Sequence, residues 1–459
     1  MAHFKNNVVH YWERLDKSWQ FAISAFLIAR LFYLIWLWII LTMQPVALQN
    51  FELSGEPILS IFKLEDSEAH IYLRQLNGQI LTFQSVDSQH MIDQQTGSVW
   101  EIASGTSIRG PYQGNILLPA KTKVSSIFPY FGAKPFSSPL LALWQRFDAN
   151  WYISIAERRY GSIPGDDHFP PLYPLLIRIL LPAVKNAFLA GLLISHLATL
   201  IALKLLYDVF SQWGEKSSAR QGAIFFAIYP TFFFFFSAYS EPVFLVFTLL
   251  AFQAMHKRQW TWAGLWVFCA ILTRLQGVAL FVPMLYWAWK DRSLLRRLSY
   301  WFGLLVAGCS GFFYLYLRSL QVPSGAIPLT EAEWHARLVL PWETYWYAVK
   351  TLASGNATFI DALNWGVMTL FIVLLVWGWK RIPIEYNLYT AVSMLIILVR
   401  IVETQPLISA SRYSLLLFPS FYALGLAGEN PWRRRVIVYG SVLLNLYLSG
   451  QFFIWGWVA

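Results

Sequence analysis

The sequence predicts a polytopic α-helical membrane protein with a small β-rich insert outside the bilayer. Three observations support this fold class. Only 13% of the 459 residues are charged, about half the share typical of a soluble protein, while 57% are hydrophobic and the mean hydropathy is +0.46. Apolar runs long enough to cross a bilayer recur along the chain. Basic residues collect in alternate connections between these runs, as they do in cytoplasmic loops.

The first apolar run extends from Trp19 to Met43 and follows Lys5, Arg14 and Lys17. It is too long for the core of a signal peptide, and no small-residue cleavage site follows it, so it predicts an uncleaved first helix. The remaining apolar runs lie at 186–210, 221–237, 240–256, 261–273, 277–289, 299–320, 361–379, 385–402, 407–427 and 436–458. Placing every basic cluster in the cytoplasm requires about eleven crossings, with the N terminus inside and the C terminus outside.

The topology predicts four regions. Residues 1–43 form the cytoplasmic N terminus and first transmembrane helix, and residues 44–139 form the extracytoplasmic β-rich insert. Residues 140–185 form extracytoplasmic interfacial helices with a candidate active-site loop. Residues 186–459 form the remaining transmembrane bundle, with an extracytoplasmic loop at 321–360.

Within the insert, residues 51–128 contain β-branched and alternating segments. These are punctuated by Asn-Gly at 77–78 and Thr-Gly at 96–97, which indicate hairpin turns. The chain has two cysteines, Cys269 and Cys309, and both lie in apolar runs. No disulfide framework is therefore expected in the insert.

Although the net charge is +10, the sequence contains no basic stripe and no RNA-binding motif, so nucleic acid is not an expected partner. Membrane orientation explains the charge better. The chain also lacks the G-x-x-x-x-G-K-[ST] phosphate loop, the G-x-S-x-G elbow and the H-E-x-x-H zinc pair. ATP-driven transport and metalloprotease chemistry lose support accordingly.

Asp148 lies in the segment "RFDANWY", among aromatic residues on the predicted outer side. A carboxylate close to a membrane is costly to desolvate and is usually paired or functional. It could act as a general base that takes a proton from an acceptor hydroxyl. It could also cap the amphipathic helix that follows, and spacing alone leaves both roles open.

Asp166, Asp167 and His168 form a second polar group some eighteen positions later. The two adjacent carboxylates, with the histidine beside them, could hold a divalent cation through oxygen ligands. Neighbouring side chains can point apart, and "SIPGDDHFPP" is also ordinary turn chemistry, so the metal role stays one of two alternatives.

Glu241 lies in "SAYSEP", where one apolar run leaves the membrane and the next enters, which also suits a helix start. Arg274 in "LTRLQG" and Arg412 in "ISASRYSLLLFP" lie at other predicted outward turns. An arginine there suits phosphate binding, because its planar guanidinium offers paired donors. Snorkelling to lipid headgroups is the alternative. The residues predicted to contact substrate are Tyr152, Asp166, Asp167, His168, Tyr239, Glu241, Arg274, Gln276, Arg412 and Tyr413.

Four segments in order resemble the PIG-V type mannosyltransferases. "FDANWYISIAERRYG" followed by "HFPPLYPLLIRIL" resembles the family's W-D-x-x-W/H-Y-x-x-I-A-x-x-G-Y … F-F-P-L-Y-P-L-L signature. "YPTFFFFFSAYSEPVFLVFTLLAF", "LTRLQGVALFVP" and "SRYSLLLFPSF" are similar to its three later motifs. The resemblance covers residues 140–425, about two-thirds of the chain.

The resemblance implies a membrane-embedded glycosyltransferase of the GT-C class. Such an enzyme is inverting and moves a sugar, usually mannose, from a polyprenyl- or dolichyl-phosphate donor on the outer face. It also implies that Asp148 is the catalytic base, because Asp148 matches the aspartate of the W-D element. Glu241, Arg274 and Arg412 match later motif positions and would shape the cavity or hold the donor phosphate.

The chain departs from the family pattern at several positions. Phe147 replaces the usual Trp, Arg159 stands where Gly is common, and the insert at 51–128 lies outside the pattern. These departures leave open the donor sugar and the acceptor, which could be a lipid-linked glycan, a glycolipid or a protein. The lack of cysteines in the insert favours a prokaryotic plasma membrane.

Two other classes compete with the enzyme. A transporter of lipids or small molecules usually shows repeated halves and charged residues near the bilayer midplane. Here the polar residues collect on one side, which favours an enzyme. A non-catalytic subunit of a glycan-assembly complex would use the insert as a docking surface.

Overall fold

The computed structural model describes residues 12–458 apart from short gaps. The gaps fall at 44–45, 54–55, 64–69, 121–129, 131–132, 163–164, 322–335, 356 and 403–404. The chain forms two compact units. The helical unit comprises residues 1–32 and 155–446, and the insert unit comprises residues 33–154 and 447–458.

Helices make up most of the described chain. They are α1 (Lys17–Met43), α2 (Pro139–Ala142), α3 (Asp148–Arg158), α4 (Leu172–Val184), α5 (Ala187–Ser211), α6 (Lys216–Ala227), α7 (Glu241–His256), α8 (Trp260–Thr273), α9 (Phe281–Lys290), α10 (Leu298–Gln321), α11 (Pro341–Ala353), α12 (Phe359–Gly378), α13 (Ile384–Leu398), α14 (Ala410–Tyr413), α15 (Pro419–Ala427) and α16 (Pro431–Phe453). Short 3-10 helices occur at Asp166–His168, Phe232–Phe236, Leu275–Leu280, Arg292–Arg296 and Ser414–Leu416.

The strands lie mainly in the first third of the chain. They are β1 (Val46–Leu53), β2 (Glu56–Lys63), β3 (His70–Leu73), β4 (Gln75–Leu76), β5 (Gln79–Ile80), β6 (Phe83–Ser85), β7 (His90–Asp93), β8 (Val99–Glu101), β9 (Ser107–Arg109), β10 (Ala336–Leu338) and β11 (Arg400–Val402). Among the strands of the described residues, β10 and β11 alone belong to the helical unit, where they form an antiparallel pair.

Five of the described helices are long and apolar enough to cross a bilayer, namely α1, α5, α10, α12 and α16. Four apolar helices, α4, α7, α8 and α13, are shorter, with 13 to 16 residues. The chain is an integral membrane protein of mainly helical fold. The predicted fold class, a polytopic α-helical membrane protein with a β-rich insert, is confirmed in these respects.

Several apolar runs that were expected to be continuous helices are interrupted. The run at 221–237 is α-helical only to the end of α6 and then passes through a turn into a 3-10 helix. The run at 407–427 divides into α14, a 3-10 helix and α15. The run at 277–289 begins within a 3-10 helix, and the run at 385–402 ends in β11. Hydropathy alone does not register these interruptions.

Local backbone chemistry explains three of the interruptions. Pro230 follows α6 and cannot donate the hydrogen bond that a continuing helix needs. Pro419 opens α15 at a position where the missing N–H costs nothing. After α8 the chain turns back so closely that a Cβ on Gly277 would lie 2.6 Å from the backbone nitrogen of Ile271. A side chain at Gly277 would separate the turn from α8.

Paired glycines bring two sets of helices into close contact. Gly264 of α8 faces Gly303 of α10, and a Cβ on Gly264 would lie 2.6 Å from the Cα of Gly303. Gly222 of α6 faces α15, where its Cβ would lie 2.7 Å from the Phe421 carbonyl oxygen. Small residues at helix contacts let backbones approach inside a membrane, where apolar burial gives little driving force. The packing of α8 on α10 and of α6 on α15 therefore depends on these glycines.

The insert unit holds an antiparallel β module. Strands β1, β2 and β3 form one sheet, β6 to β9 form a four-stranded meander, and β4 pairs with β5. The predicted hairpin at 77–78 is confirmed, with Asn77 and Gly78 both at positive φ between β4 and β5. Gly97 also has positive φ, in the turn between β7 and β8.

An apolar core that also contains buried hydrogen bonds supports the β module. Its fully buried members include Leu59, Phe83, Met91 and Trp100. The Trp100 indole nitrogen donates a 2.9 Å hydrogen bond to the carboxylate of Asp93, which is itself fully buried. The bond satisfies the indole inside the core.

Residues 140–185 form helices of different lengths, and their position at the membrane interface stays a prediction. The helix expected from Leu140 onward is the single turn α2, whereas α3 and α4 span 11 and 13 residues. Within the predicted loop at 321–360, residues Pro341–Ala353 form α11. Residues 322–335 lie outside the described residues.

We expect Gly303→Ala to destabilise the protein by about 1–3 kcal/mol, because its Cβ would overlap the backbone of α8 at Trp260. Gly308→Ala on the same helix is the control, since its Cβ would meet nothing within 4 Å. Thermal unfolding in detergent should separate the two variants. Equal melting temperatures would show that α8 and α10 do not need this close approach.

Candidate active site

Three breaks between helices supply the charged residues of the candidate site. Glu241 is the first residue of α7 and follows the interrupted segment 228–240. Arg274 comes directly after α8, with extended backbone at φ −156°. Arg412 lies in α14, a helix of four residues. Discontinuous helices commonly form binding sites in membrane proteins, because a polar backbone at membrane depth is tolerated where it lines a protein interior.

Hydroxyl groups satisfy the carbonyls that these breaks leave without helical partners. Ser195 of α5 donates a 2.9 Å hydrogen bond to the carbonyl of Tyr239, and Thr199 donates a 2.7 Å bond to that of Phe235. Thr231 donates a 3.0 Å bond to the carbonyl of Ser411, beside Arg412. Hydroxyl donors of this kind hold the breaks in place, because an unsatisfied carbonyl in an apolar medium is costly.

Glu241, Arg274 and Arg412 form one buried ionic cluster. Nη1 of Arg274 lies 2.9 Å from Oε1 of Glu241 and donates a 3.1 Å hydrogen bond to the Ser240 hydroxyl. Nε of Arg412 donates to the same Oε1 of Glu241. Glu241 is fully buried, and the two arginines are 7% and 5% exposed. One carboxylate thus holds two guanidinium groups from distant parts of the chain.

Aromatic rings enclose the two guanidinium groups. The Arg412 Cζ atom lies 4.6 Å from the ring centre of Tyr239 and 4.9 Å from that of Phe234. The Arg274 Cζ atom lies 5.2 Å from the ring centre of Tyr413. Aromatic faces stabilise a cation while excluding water. The rings fix the planes of both guanidinium groups.

Two polar atoms of the cluster are buried with their hydrogen-bonding capacity unused. Within the described part of the chain, Oε2 of Glu241 and Nε of Arg274 have no hydrogen-bond partner. A buried unsatisfied polar group costs about 1–3 kcal/mol, and a charged one costs more. The Arg274 Nε–H is a donor that an anionic ligand could use.

The structure brings five of the predicted substrate contacts together, namely Tyr239, Glu241, Arg274, Arg412 and Tyr413. Gln276 lies two residues beyond Arg274 in the 3-10 helix, half-buried. Two members of the cluster were not predicted as site residues. Ser240 lies in the "SAYSEP" turn, and Phe234 lies in the Phe232–Phe236 run that precedes this turn. The adjacency of that run to "SAYSEP" is the sequence signal for both.

Asp166 supports its own loop in the structure. Its two carboxylate oxygens accept hydrogen bonds from the backbone amides of Gly161 and Ser162, at 3.0 and 3.1 Å. Nδ1 of His168 lies 3.1 Å from the carbonyl oxygen of Gly165. These contacts match the turn chemistry that was the alternative to metal binding. The Asp167 side chain lies outside the described residues.

The described residues contain no group of three or more His, Cys, Asp or Glu side chains that could hold a metal ion.

Asp148 belongs to the insert unit, where it is the first residue of α3 and is half-buried. The partial positive charge at a helix N terminus favours a carboxylate there. Phe147, directly before it, has φ +46°, an uncommon value for a residue with a side chain. Tyr152 lies one turn further along α3, fully buried at 2% exposure.

Residues 452–457 hold the segment before Asp148 in this conformation. The Phe147 ring packs edge-on against Trp455 and Trp457, with ring centres 5.4 and 5.5 Å away. The guanidinium of Arg146 donates a 2.9 Å hydrogen bond to the carbonyl of Phe453 and lies 4.5 Å from the centre of the Trp455 ring. Burial lowers the pKa of Arg146 to about 10, so it remains cationic at neutral pH. These contacts fix where α3 begins.

We expect Glu241→Ala to destabilise the protein by about 3–5 kcal/mol, because it would leave two guanidinium groups buried without their shared carboxylate. Arg258→Ala is the matched control. It breaks the solvent-exposed pair with Asp291, which should contribute less than about 1 kcal/mol. Thermal unfolding in one detergent compares the two. A cost for Glu241→Ala no larger than that of the control would contradict the buried cluster.

Comparison with known proteins finds a likeness among solved structures. No protein-family model matches the chain, and no curated protein matches its sequence. Among solved structures, ArnT from Cupriavidus metallidurans bound to undecaprenyl phosphate aligns with 67% of this chain and 70% of its own, at 14% identity and a TM-score of 0.41. A TM-score below 0.5 does not establish a common fold, so the function has to be inferred from the residues of the site.

Proposed function

We propose that this chain is an inverting glycosyltransferase of the GT-C class, similar to the PIG-V mannosyltransferases. It would transfer a sugar, by this resemblance mannose, from a polyprenyl- or dolichyl-phosphate donor to an acceptor on the extracytoplasmic side. The proposal rests on one observation above all. Glu241 fixes two arginines in an aromatic enclosure among apolar helices, and one of these arginines keeps a buried donor unused.

A lipid-phosphate donor needs such an arrangement. Its tail lies in the bilayer and its phosphate at the interface, so the protein must present positive charge next to apolar surface. Arg274 and Arg412 are suited to bind phosphate oxygens, because a guanidinium presents parallel N–H donors. Fixed cations also stabilise the charge that develops on the leaving phosphate, which can lower a barrier by several kcal/mol.

Asp148 is the proposed general base. In the transfer, the acceptor oxygen forms a bond to the anomeric carbon while the bond from that carbon to the phosphate oxygen breaks. The acceptor hydroxyl proton passes to the Asp148 carboxylate, and polyprenyl phosphate leaves. One such displacement inverts the anomeric centre and needs a single base, whereas retaining glycosidases need a second, nucleophilic carboxylate.

The membrane and the acceptor are part of the proposal. The positive-inside pattern supports an extracytoplasmic position for the site residues, and the absence of cysteines in the insert favours a prokaryotic plasma membrane. The β module of the insert unit is a candidate surface for the acceptor, which would be a lipid-linked glycan, a glycolipid or a protein.

Asp148→Asn should lower turnover by about 10²- to 10⁴-fold, because the amide cannot accept the proton. Purified protein would be given polyprenyl-phosphate mannose and a panel of candidate acceptors, and products would be followed by mass spectrometry. Glu157→Gln is the matched control, since Glu157 is an exposed carboxylate of the same helix. An Asp148→Asn enzyme with the turnover of the control would refute the assigned base.

Arg274→Lys should raise the KM for the donor about tenfold or more, because an ammonium cannot reproduce the guanidinium's paired donors. The control is Arg400→Lys, which alters an exposed arginine in β11. Steady-state kinetics at varied donor concentration would measure both. An unchanged KM for Arg274→Lys would show that the cluster holds something other than the donor phosphate.

A further inference from the structure

An apolar groove runs along one face of α10. It has a volume of about 670 Å³ and is lined by Leu298, Trp301, Phe302, Leu304, Leu305, Gly308, Cys309 and Phe312. Most of these residues recur every three or four positions, so they form a stripe on one side of the helix. From Leu298 to Phe312 the groove is about 21 Å long. This exceeds the roughly 15 Å of hydrocarbon in one leaflet, so a whole acyl chain would fit.

The middle of the groove is open because two small side chains lie there. A Cβ added to Gly308 would meet nothing within 4 Å, and Cys309 is exposed. Gly303 on the same helix is buried against α8 instead. The absence of a side chain at Gly308 therefore leaves space on the exposed face of α10 and is not needed for packing against α8.

A basic patch lies at the N-terminal end of the groove. We define it as Lys257, Arg258, Lys290, Arg292, Arg296 and Arg297, all of which are exposed. The ion pair of Arg258 with Asp291 joins the turn between α7 and α8 to the turn between α9 and α10. Six positive charges thus lie on two joined turns, against the single carboxylate of Asp291.

The end of the groove combines this positive charge with apolar surface. Leu298 is 84% exposed and directly follows Arg297, and Trp289 is 66% exposed beside Lys290. The Trp301 indole donates a 2.9 Å hydrogen bond to the Leu295 carbonyl, which fixes its ring at this end of the groove. Tryptophan side chains favour the depth of the lipid headgroups. The N terminus of a long helix at the same place adds attraction for an anion.

We propose that this face of α10 binds one anionic phospholipid of the surrounding bilayer. The phosphate and the anionic headgroup would lie against Arg292, Arg296 and Arg297, and an acyl chain would fill the groove from Trp301 to Phe312. Clusters of four to eight basic residues at the end of a transmembrane helix bind anionic lipids in this manner. The site does not depend on the transfer reaction proposed above.

Charge favours a lipid over a second copy of the chain on this face. A two-fold axis along the membrane normal would bring the two basic patches together, and like charges repel. An anionic lipid supplies the complementary charge and an apolar chain of the right length.

Native mass spectrometry of the full chain in detergent would test the site. We expect wild-type protein to retain one phosphatidylglycerol at concentrations where phosphatidylcholine with the same chains binds about tenfold less. Arg296→Gln/Arg297→Gln should remove this preference, and Gly308→Leu should reduce retention of both lipids by filling the groove. Arg434→Gln/Arg435→Gln removes two exposed charges from the start of α16 and should change nothing.

Several outcomes would overturn the proposal. Equal retention of the two lipids by wild type would exclude headgroup recognition, and unchanged retention in Gly308→Leu would exclude the groove. Displacement of the lipid by inorganic phosphate would indicate a simple anion site. A dimer that dissociates in Gly308→Leu would make α10 an interface between copies, and selective retention of polyprenyl phosphate would assign the groove to a different lipid.

Discussion

The shared carboxylate of Glu241 is the interaction on which the candidate site depends. Two guanidinium groups at Arg274 and Arg412, 138 residues apart in sequence, are buried close together only because one negative oxygen lies between them. The surrounding rings of Phe234, Tyr239 and Tyr413 supply faces for the cations where water is excluded. The cluster is costly to assemble in a low-dielectric interior, which agrees with a functional role better than with a purely structural one.

The helix breaks and the close helix contacts are two parts of the same arrangement. Breaks expose backbone carbonyls, and hydroxyls of Ser195 and Thr199 on the uninterrupted helix α5 satisfy them. Glycine contacts such as Gly264 with Gly303 bring other helices close together without polar groups. The helical unit thus keeps its polar chemistry at the interruptions and packs its regular helices through small residues.

The membrane fold class could be predicted from the sequence, because hydropathy and charge depend directly on whether a segment lies in lipid or in water. The same reasoning selected Glu241, Arg274 and Arg412, since a charged residue in an apolar chain is costly to bury and is usually paired or functional. The interruption of the run at 221–237 was not predicted, because five phenylalanines extend its apolar character across Pro230. The sequence left two roles open for Asp166, in a turn or in a metal site, because the choice depends on whether the amides of Gly161 and Ser162 fold back onto the carboxylate.

The folding of the β module does not depend on redox conditions, because its core contains no cysteine. Both cysteines of the chain lie in α8 and α10, whereas the module is held by apolar packing around Trp100 and by the bond from its indole to Asp93. Reductants should leave such a core intact, and its maturation needs no thiol oxidase or isomerase. The module can therefore fold equally well in an anaerobic or an aerobic environment.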